Sequence, residues 1–341
     1  MPDVVTPKAA IFGCEGPALT DWEKRFFADT NPLGLILFAR NCQTPDQVRA
    51  LVADFRRVVG REDAPVLIDQ EGGRVARLRP PHWRAAPAAA EFGTLAAKDR
   101  ARARRAVTLN ARLLAAELAA LGITVDCAPV LDVPAADAHD VIGDRAFGRD
   151  PKVVADLGRA FCEGLLAGGV VPVIKHIPGH GRAAVDTHHA LPVVEADRAD
   201  LERSDFRPFA ALSDAPWGMT GHVVYTALDP DNPATTSARI IDEVIRGAFG
   251  FDGVLVTDDL SMGALSGGFG ERAAAALAAG CDVALHCNGQ SEEMIEVAAA
   301  ATALGSDATR RLTAASARVA GPASVDAAAL TADLDDLLAV H

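Results

Sequence analysis

A loop between residues 175 and 189 concentrates side chains that bind or transfer protons. Four of the nine histidines of the chain lie within its fourteen residues from 176 to 189, together with Asp186, and Lys175 precedes them. The loop follows an apolar, β-branched run at residues 170–174, which is typical of a strand buried on both faces. Cation, imidazole and carboxylate groups that follow a buried parallel strand predict a catalytic loop.

Asp186 and His188 are the best candidates for proton transfer in this loop. Residues two apart in an extended segment point the same way, so the carboxylate would orient the imidazole and raise its basicity. Such an imidazole donates and accepts a proton near neutral pH. The alternative is a solvated polar loop without a catalytic role, but the density of functional groups favours the dyad.

Two adjacent carboxylates end another apolar run, at residues 253–256. We expect one of Asp258 and Asp259 to cap the next helix and the other, Asp258, to face the pocket. Lys175 needs an acceptor partner if it is buried. The groups suited to hydrogen bonding a polar, mostly uncharged ligand are Asp69, Arg74, Arg77, Arg145, Lys175 and His176, although an internal salt-bridge network is the alternative role for each.

Strand-like runs alternate with helical stretches along the whole chain. Eight such runs begin near residues 9, 35, 65, 123, 170, 217, 253 and 282. Eight parallel strands close a (β/α)8 TIM barrel, which we predict in preference to an open, doubly wound sheet. In a barrel, the polar residues that follow the runs converge on one mouth: Arg40, Asp69, Asp132, Lys175, His176, His222, Asp258 and His286. The chain lacks a linker, so residues 1–341 are predicted to form one domain, with about thirty C-terminal residues packed outside the barrel.

Composition narrows the function classes. Half of the residues are hydrophobic, but no run is long enough to span a membrane, and the N-terminus lacks the pattern of a secretory signal. The net charge of −13 argues against nucleic-acid and anionic-membrane binding. The six cysteines form no C-x-x-C pair, so free thiols in a reducing cytoplasm are expected.

Four motifs, in order along the chain, resemble glycoside hydrolase family 3. Residues 175–181, KHIPGHG, followed by Asp186-Thr187-His188, are similar to the family segment K-H-[FI]-P-G-H-G-x4-D-[ST]-H. The other three are residues 69–75 (DQEGGRV), 143–147 (GDRAF) and 257–262 (TDDLSM). The D-[ST]-H element resembles the single-domain bacterial β-N-acetylglucosaminidases rather than the β-glucosidases of this family.

The resemblance implies a role for each matching residue. Asp258 would be the nucleophile that forms a covalent glycosyl-enzyme, and His188 the general acid/base with Asp186 as its partner. The terminal N-acetylglucosamine of a cell-wall muropeptide would be bound by Asp69, Arg77, Arg145, Lys175 and His176. Retention of the anomeric configuration is expected, with an imidazole where retaining enzymes usually have a second carboxyl. No metal or organic cofactor is implied, and a monomer is expected.

Three other functions remain open. A metal-dependent barrel hydrolase would use His176, His180, His188, His222 and Asp258 as ligands. Phosphate could replace water as the glycosyl acceptor. A non-catalytic sugar-binding module could use the same fold, because fold alone does not define activity.

Overall fold

The computed structural model describes residues 6–135, 142–183, 191–319 and 326–339, and a closed parallel barrel forms its centre. Its strands run in chain order around the barrel, and the eighth pairs with the first. They are β1 Lys8–Gly13, β2 Pro32–Leu37, β3 Val66–Ile68, β4 Val125–Asp126, β5 Val171–Ile177, β6 Trp217–Thr220, β7 Val254–Asp259 and β8 Val283–His286. The predicted (β/α)8 barrel is therefore confirmed.

Side chains alternate between the inside of the barrel and its helical coat. Ile11, Leu67 and Leu285 belong to the cluster that fills the barrel, whereas Phe12 and Ile68 pack with the surrounding helices. This alternation follows from the pleat of a strand, in which successive side chains face opposite sides. Both faces are apolar, which is why the strands appear in the sequence as continuous hydrophobic runs.

Helices surround the barrel on its outside. They are α1 Asp21–Thr30, α2 Pro45–Val59, α3 Ala89–Ala96, α4 Arg100–Ala119, α5 Pro151–Ala167, α6 Arg198–Arg203, α7 Arg207–Ala211, α8 Phe269–Ala279, α9 Ser291–Ala300, α10 Ser306–Ala317 and α11 Ala327–Leu338, with a π-helical segment at Ile240–Ala248. Within the described parts of the chain, no helix has the length and apolarity that a membrane crossing requires.

Helix α2 shows how the sequence sets helix ends. Thr44 accepts a hydrogen bond from the Gln47 amide, Pro45 occupies the first turn, and Gly60 ends the helix in the left-handed region at φ 67°. The Gln47 side-chain oxygen accepts from the Gln43 amide, one residue before the N-cap. The helical region before β6 is divided into α6 and α7, with Pro208 in the first turn of α7.

The C-terminal helix α11 lies against α4, outside the barrel. Leu334 is its buried anchor, and the Arg102 guanidinium donates to the carbonyl oxygens of Leu337, Asp336 and Ala339 at 2.7–2.8 Å. A cation at these orphan carbonyls also complements the helix dipole. The assignment of residues 1–341 to one domain stays a prediction.

Candidate active site

A pocket of about 270 Å³ opens at the carboxyl ends of the barrel strands. Its walls include the six described residues to which the family resemblance gives a catalytic or sugar-binding role: Asp69, Arg77, Arg145, Lys175, His176 and Asp258. They come from the ends of β3, β5 and β7 and from the segment after β4, which are far apart in sequence. The parallel barrel brings them together because all its strands end on the same side.

Charged side chains form a continuous network along one wall. Asp69 accepts from Arg77 at 2.9 Å and from Lys175 at 2.8 Å. Lys175 Nζ also lies 2.6 Å from a Glu71 oxygen, and Arg145 binds both Glu71 oxygens at 2.9 Å. The salt-bridge network that was the alternative role for these residues is therefore present, and it forms part of the pocket wall.

This network keeps its members charged. Burial alone raises the pKa of Asp69, but Lys175 and Arg77 outweigh it and hold the pKa well below its ordinary value. Burial likewise lowers the pKa of Lys175, and Asp69 and Glu71 raise it above the ordinary value. The pocket thus presents fixed donors and acceptors to a ligand, as hydrogen bonding to hydroxyl groups requires.

His176 is held from behind by a fully buried carboxylate. Asp132 Oδ2 lies 2.7 Å from His176 Nδ1, and Asp132 Oδ1 accepts from the backbone amides of His176 and His180. Burial raises the pKa of Asp132, but His176 and His180 lower it to about 2. An ionised acceptor at Nδ1 fixes the imidazole orientation, so Nε2 is the nitrogen left for a ligand.

Asp258 ends β7 and is held by its neighbours. Its Oδ1 accepts from the Asp259 amide at 2.8 Å, and the Asp259 carbonyl accepts from His222 Nε2 at 3.0 Å. Burial raises the pKa of Asp258, yet His176 and His222 lower it below the ordinary value. The carboxylate is therefore ionised at neutral pH, the state a nucleophile needs.

The predicted helix cap at Asp259 is wrong. Helix α8 begins at Phe269 with Gly268 as its N-cap. The Asp259 carboxylate instead accepts from the Ser261 amide and hydroxyl and from the Cys287 amide, at 2.6–3.1 Å. It ties the loop after β7 to the end of β8, because short polar side chains readily bond the backbone two residues ahead.

The start of the predicted catalytic loop is firmly anchored. The Gly181 carbonyl accepts from the Ala135 amide at 2.9 Å, and Arg182 forms a 2.7 Å ion pair with the buried carboxylate of Asp205. The Tyr225 hydroxyl donates to the Gly179 carbonyl. Asp186 and His188 lie outside the described residues, so their proposed roles remain predictions.

Not every polar residue expected at the mouth reaches the pocket. His286 lies outside the barrel and pairs with Glu293 of α9 at 2.9 Å, because Leu285 takes the inward position. His222 lies beneath Asp259 and bonds Thr235 at 2.7 Å. Arg40 donates to the carbonyls of Cys14 and Cys287. These three side chains brace the strand ends instead of lining the pocket.

In the described part of the chain, the proposed ligands His176, His180 and Asp258 line one pocket without forming a metal site. There, no group of three or more His, Cys, Asp or Glu side chains is arranged to hold an ion. His222 has both ring nitrogens engaged, and His176 Nδ1 is taken by Asp132. His188, another histidine of that hypothesis, lies outside the described residues.

Sequence reasoning missed three contributors to the pocket. Glu71 was part of a motif and Asp132 was expected only at the barrel mouth; neither was given a role, although both hold predicted ligand-binding side chains. Phe38 was not singled out, yet the guanidinium carbons of Arg40 and Arg77 each lie 5.0 Å from its ring centroid. The motif spacing DQE would have placed Glu71 on the same side as Asp69, because alternate residues of an extended segment share a face.

A barrel whose mouth holds an ionised carboxylate among charged hydrogen-bonding side chains is the kind of site that glycoside hydrolases use. The sequence model described as the glycosyl hydrolase family 3 N terminal domain matches residues 16–321. The chain belongs to glycosyl hydrolase family 3, as its motifs predicted.

The chain also matches named proteins along most of their length. It is 39% identical to the beta-hexosaminidase of Bordetella avium over 291 residues, covering 84% of this chain and 82% of that protein. It is 41% identical to that of Alkalilimnicola ehrlichii over 282 residues, covering 82% and 80%. The structure of NagZ from Neisseria gonorrhoeae in complex with N-trifluoroacetyl-D-glucosamine is 32% identical, with a TM-score of 0.88, and the match covers 98% of this chain and 99% of that one.

Proposed function

We propose that this protein is a retaining exo-β-N-acetylglucosaminidase that removes terminal, non-reducing β-linked N-acetylglucosamine from muropeptides. The observation that carries the proposal is the position of Asp258, an ionised carboxylate in the same pocket as Lys175, Arg145 and Asp69. The relatives named beta-hexosaminidase, and the N-trifluoroacetyl-D-glucosamine in the related NagZ structure, support a hexosaminide as substrate.

In the first step, Asp258 attacks the anomeric carbon of the sugar. A new bond forms between a carboxylate oxygen and that carbon, and the glycosidic carbon–oxygen bond breaks. The departing oxygen takes the electron pair and a proton from the His188 imidazolium. Asp258 Oδ1 is held by the Asp259 amide, so Oδ2 is the oxygen we assign to the attack.

In the second step, water resolves the covalent intermediate. Neutral His188 removes a proton from water, the water oxygen bonds to the anomeric carbon, and the bond to Asp258 breaks. Two inversions give net retention. A neutral imidazole as base also avoids placing a second carboxylate beside Asp258, where like charges would raise a pKa.

The sugar itself would be held by the charged wall and by His176. Asp69 and the cations Arg77, Arg145 and Lys175 offer acceptors and donors at fixed positions to the hydroxyl and acetamido groups. Their mutual ion pairs remove the need for reorganisation when a ligand binds, which lowers the cost of binding. We place the reaction in cytoplasmic peptidoglycan recycling by a monomer; the six free thiols fit a reducing compartment.

The proposal is tested by turnover of 4-nitrophenyl β-N-acetylglucosaminide, with the anomer of the product followed by NMR. Release of the β-anomer first is expected, and release of the α-anomer would reject the retaining mechanism. A muropeptide with a terminal N-acetylglucosamine tests the natural substrate class, and the matching glucoside is the control expected to be poorly cleaved.

The same assay separates the open alternatives. Rates unchanged after exhaustive chelation are expected, whereas loss of activity that returns with added metal would support the metal-dependent hydrolase. Free sugar is the expected product in phosphate buffer, whereas a sugar 1-phosphate would identify a phosphorolytic enzyme. Binding of N-acetylglucosamine without turnover of any glycoside would indicate a non-catalytic module.

A further inference from the structure

Glu71 lies in the short hairpin that follows β3, formed by Gln70–Gly72 and Val75–Ala76. It lines the same pocket as Asp69, two residues earlier. The intervening Gln70 faces the other way, where its side chain bonds the backbone of Arg77 and Leu78. The hairpin therefore places two carboxylates on the pocket side and uses the residue between them as an anchor.

Both Glu71 oxygens are occupied by cations of the pocket. Oε1 accepts from Lys175 at 2.6 Å and from Arg145 at 2.9 Å, and Oε2 accepts from Arg145 at 2.9 Å. The side chain is only 7% exposed. A carboxylate with these three contacts has little remaining capacity to accept a hydrogen bond from a ligand. Its effect on binding must therefore come through the two cations that it holds.

The charges along the network alternate in sign, in the order Arg77, Asp69, Lys175, Glu71 and Arg145. Lys175 and Arg145 are like charges in a buried wall, and each destabilises the other's charged form. Without Glu71, Lys175 would keep Asp69 as a partner, but Arg145 would lose the fork-shaped pair that sets its plane. The carboxylate that links the two cations and sets their spacing would be lost.

We propose that Glu71 is a positioning residue for sugar binding, which sets the spacing and orientation of Lys175 and Arg145. This inference rests on the proposed function, because it assumes that these two cations bind the terminal sugar. A carboxylate of this length is needed, since it must reach the Lys175 ammonium with one oxygen while both oxygens meet the Arg145 guanidinium.

The test compares Glu71→Gln with the wild-type enzyme by steady-state kinetics and by inhibition with N-acetylglucosamine. The amide keeps the shape but turns one acceptor into a donor that faces a cation. We expect KM and the inhibition constant to rise together by about tenfold or more, while kcat changes by less than about threefold, because uniform binding is lost.

Glu23→Gln is the matched control. Glu23 is also buried and accepts from the Glu15 and Thr20 amides, but it lies at the start of α1 and does not line the pocket. Its variant should lose thermal stability without a change in KM. If Glu71→Gln behaves like Glu23→Gln, with a lower Tm and wild-type KM, Glu71 is structural only and the proposal is overturned.

Glu71→Asp covers the case in which the glutamine variant does not fold. It keeps the charge but is one methylene shorter, so KM should rise by about threefold or more, and a wild-type KM would overturn the proposal. The outcome is separable from failure of the proposed function. If the wild-type enzyme does not cleave the hexosaminide at all, that function fails; if it does and both Glu71 variants match it, only this inference fails.

Discussion

The carboxylate of Asp132 holds the imidazole of His176 in the pocket: one oxygen of this fully buried carboxylate lies 2.7 Å from Nδ1 of the ring. The two residues are 44 positions apart, at the ends of neighbouring barrel segments. Because the same carboxylate also accepts from two backbone amides, the ring cannot turn without breaking a buried network. The pocket's hydrogen-bonding pattern therefore depends on a residue outside it.

Replacement of this partner should change the imidazole tautomer. In Asp132→Asn the oxygen is expected to stay with the backbone amides, so the amide NH2 would face Nδ1 and move the ring proton to Nε2. We expect KM to rise by about tenfold, equivalent to one lost hydrogen bond of about 1.4 kcal/mol. Nitrogen-15 NMR of His176 reports the tautomer directly.

The control for that change is Asp242→Asn, an exposed carboxylate on the π-helical segment. It should match the wild-type enzyme in KM and in the His176 spectrum. An unchanged tautomer in Asp132→Asn would contradict the assignment of Asp132 as the group that orients His176.

His188→Ala tests the proposed acid/base through chemical rescue. With 4-nitrophenol as leaving group, formation of the glycosyl-enzyme needs little acid assistance, but its hydrolysis still needs a base. We expect kcat to fall by about 10²- to 10⁴-fold and to recover in azide, which attacks without a base and gives a β-glycosyl azide.

His188 has a neighbouring control in His189. His189→Ala should keep most of its activity and gain nothing from azide. Wild-type turnover in His188→Ala, or rescue of both variants alike, would show that the proton-transfer role was assigned to the wrong residue.

The buried imidazole of His180 predicts a pH-dependent loss of stability. Burial lowers the pKa of His180 from 6.5 to about 4. The unfolded chain therefore takes up a proton as pH falls below 6.5 while the folded protein does not, so stability is full above 6.5 and declines down to about pH 4. The contribution is at most about 3 kcal/mol.

Urea unfolding of the wild type and of His180→Gln between pH 7 and pH 4 measures the contribution of His180 to the free energy of unfolding. The difference between their free energies of unfolding should change across that interval, because glutamine does not titrate. Parallel pH profiles for the two proteins would contradict the depressed pKa.

The contacts of Arg102 should contribute to the docking of the C-terminal helix α11 against α4. Its guanidinium makes three hydrogen bonds to carbonyls at the end of α11, so Arg102→Ala should lower the free energy of unfolding by about 1–2 kcal/mol. Arg105, which unlike Arg102 is exposed on α4, is the control, and Arg105→Ala should change the free energy of unfolding little. Equal unfolding free energies in the two variants would show that the cap does not stabilise the docked helix.

The parts of the structure set by local pattern were predictable from sequence. Apolar runs located the barrel strands. Asp69, Lys175 and Asp258 were found because they follow such runs directly. In each case the signal lies within a few residues of the feature.

Features that depend on long-range contacts were not predictable. The partner of His176 comes from another strand end, and the partners of Glu71 come from residues more than seventy positions away. The error at His286 has a different origin: one register step decides whether a side chain faces the pocket or the helices. Asp259 was misjudged because a loop turn and a helix cap use the same residue type.

The central claim is that Asp258 becomes bonded to the anomeric carbon. Incubation with a 2-deoxy-2-fluoro or 5-fluoro analogue of an activated N-acetylglucosaminide should trap the glycosyl-enzyme, and peptide mass spectrometry should then place one sugar on Asp258. A label on another carboxylate, such as Asp69, Glu71 or Asp186, or turnover that persists at the wild-type rate in Asp258→Asn, would contradict the account.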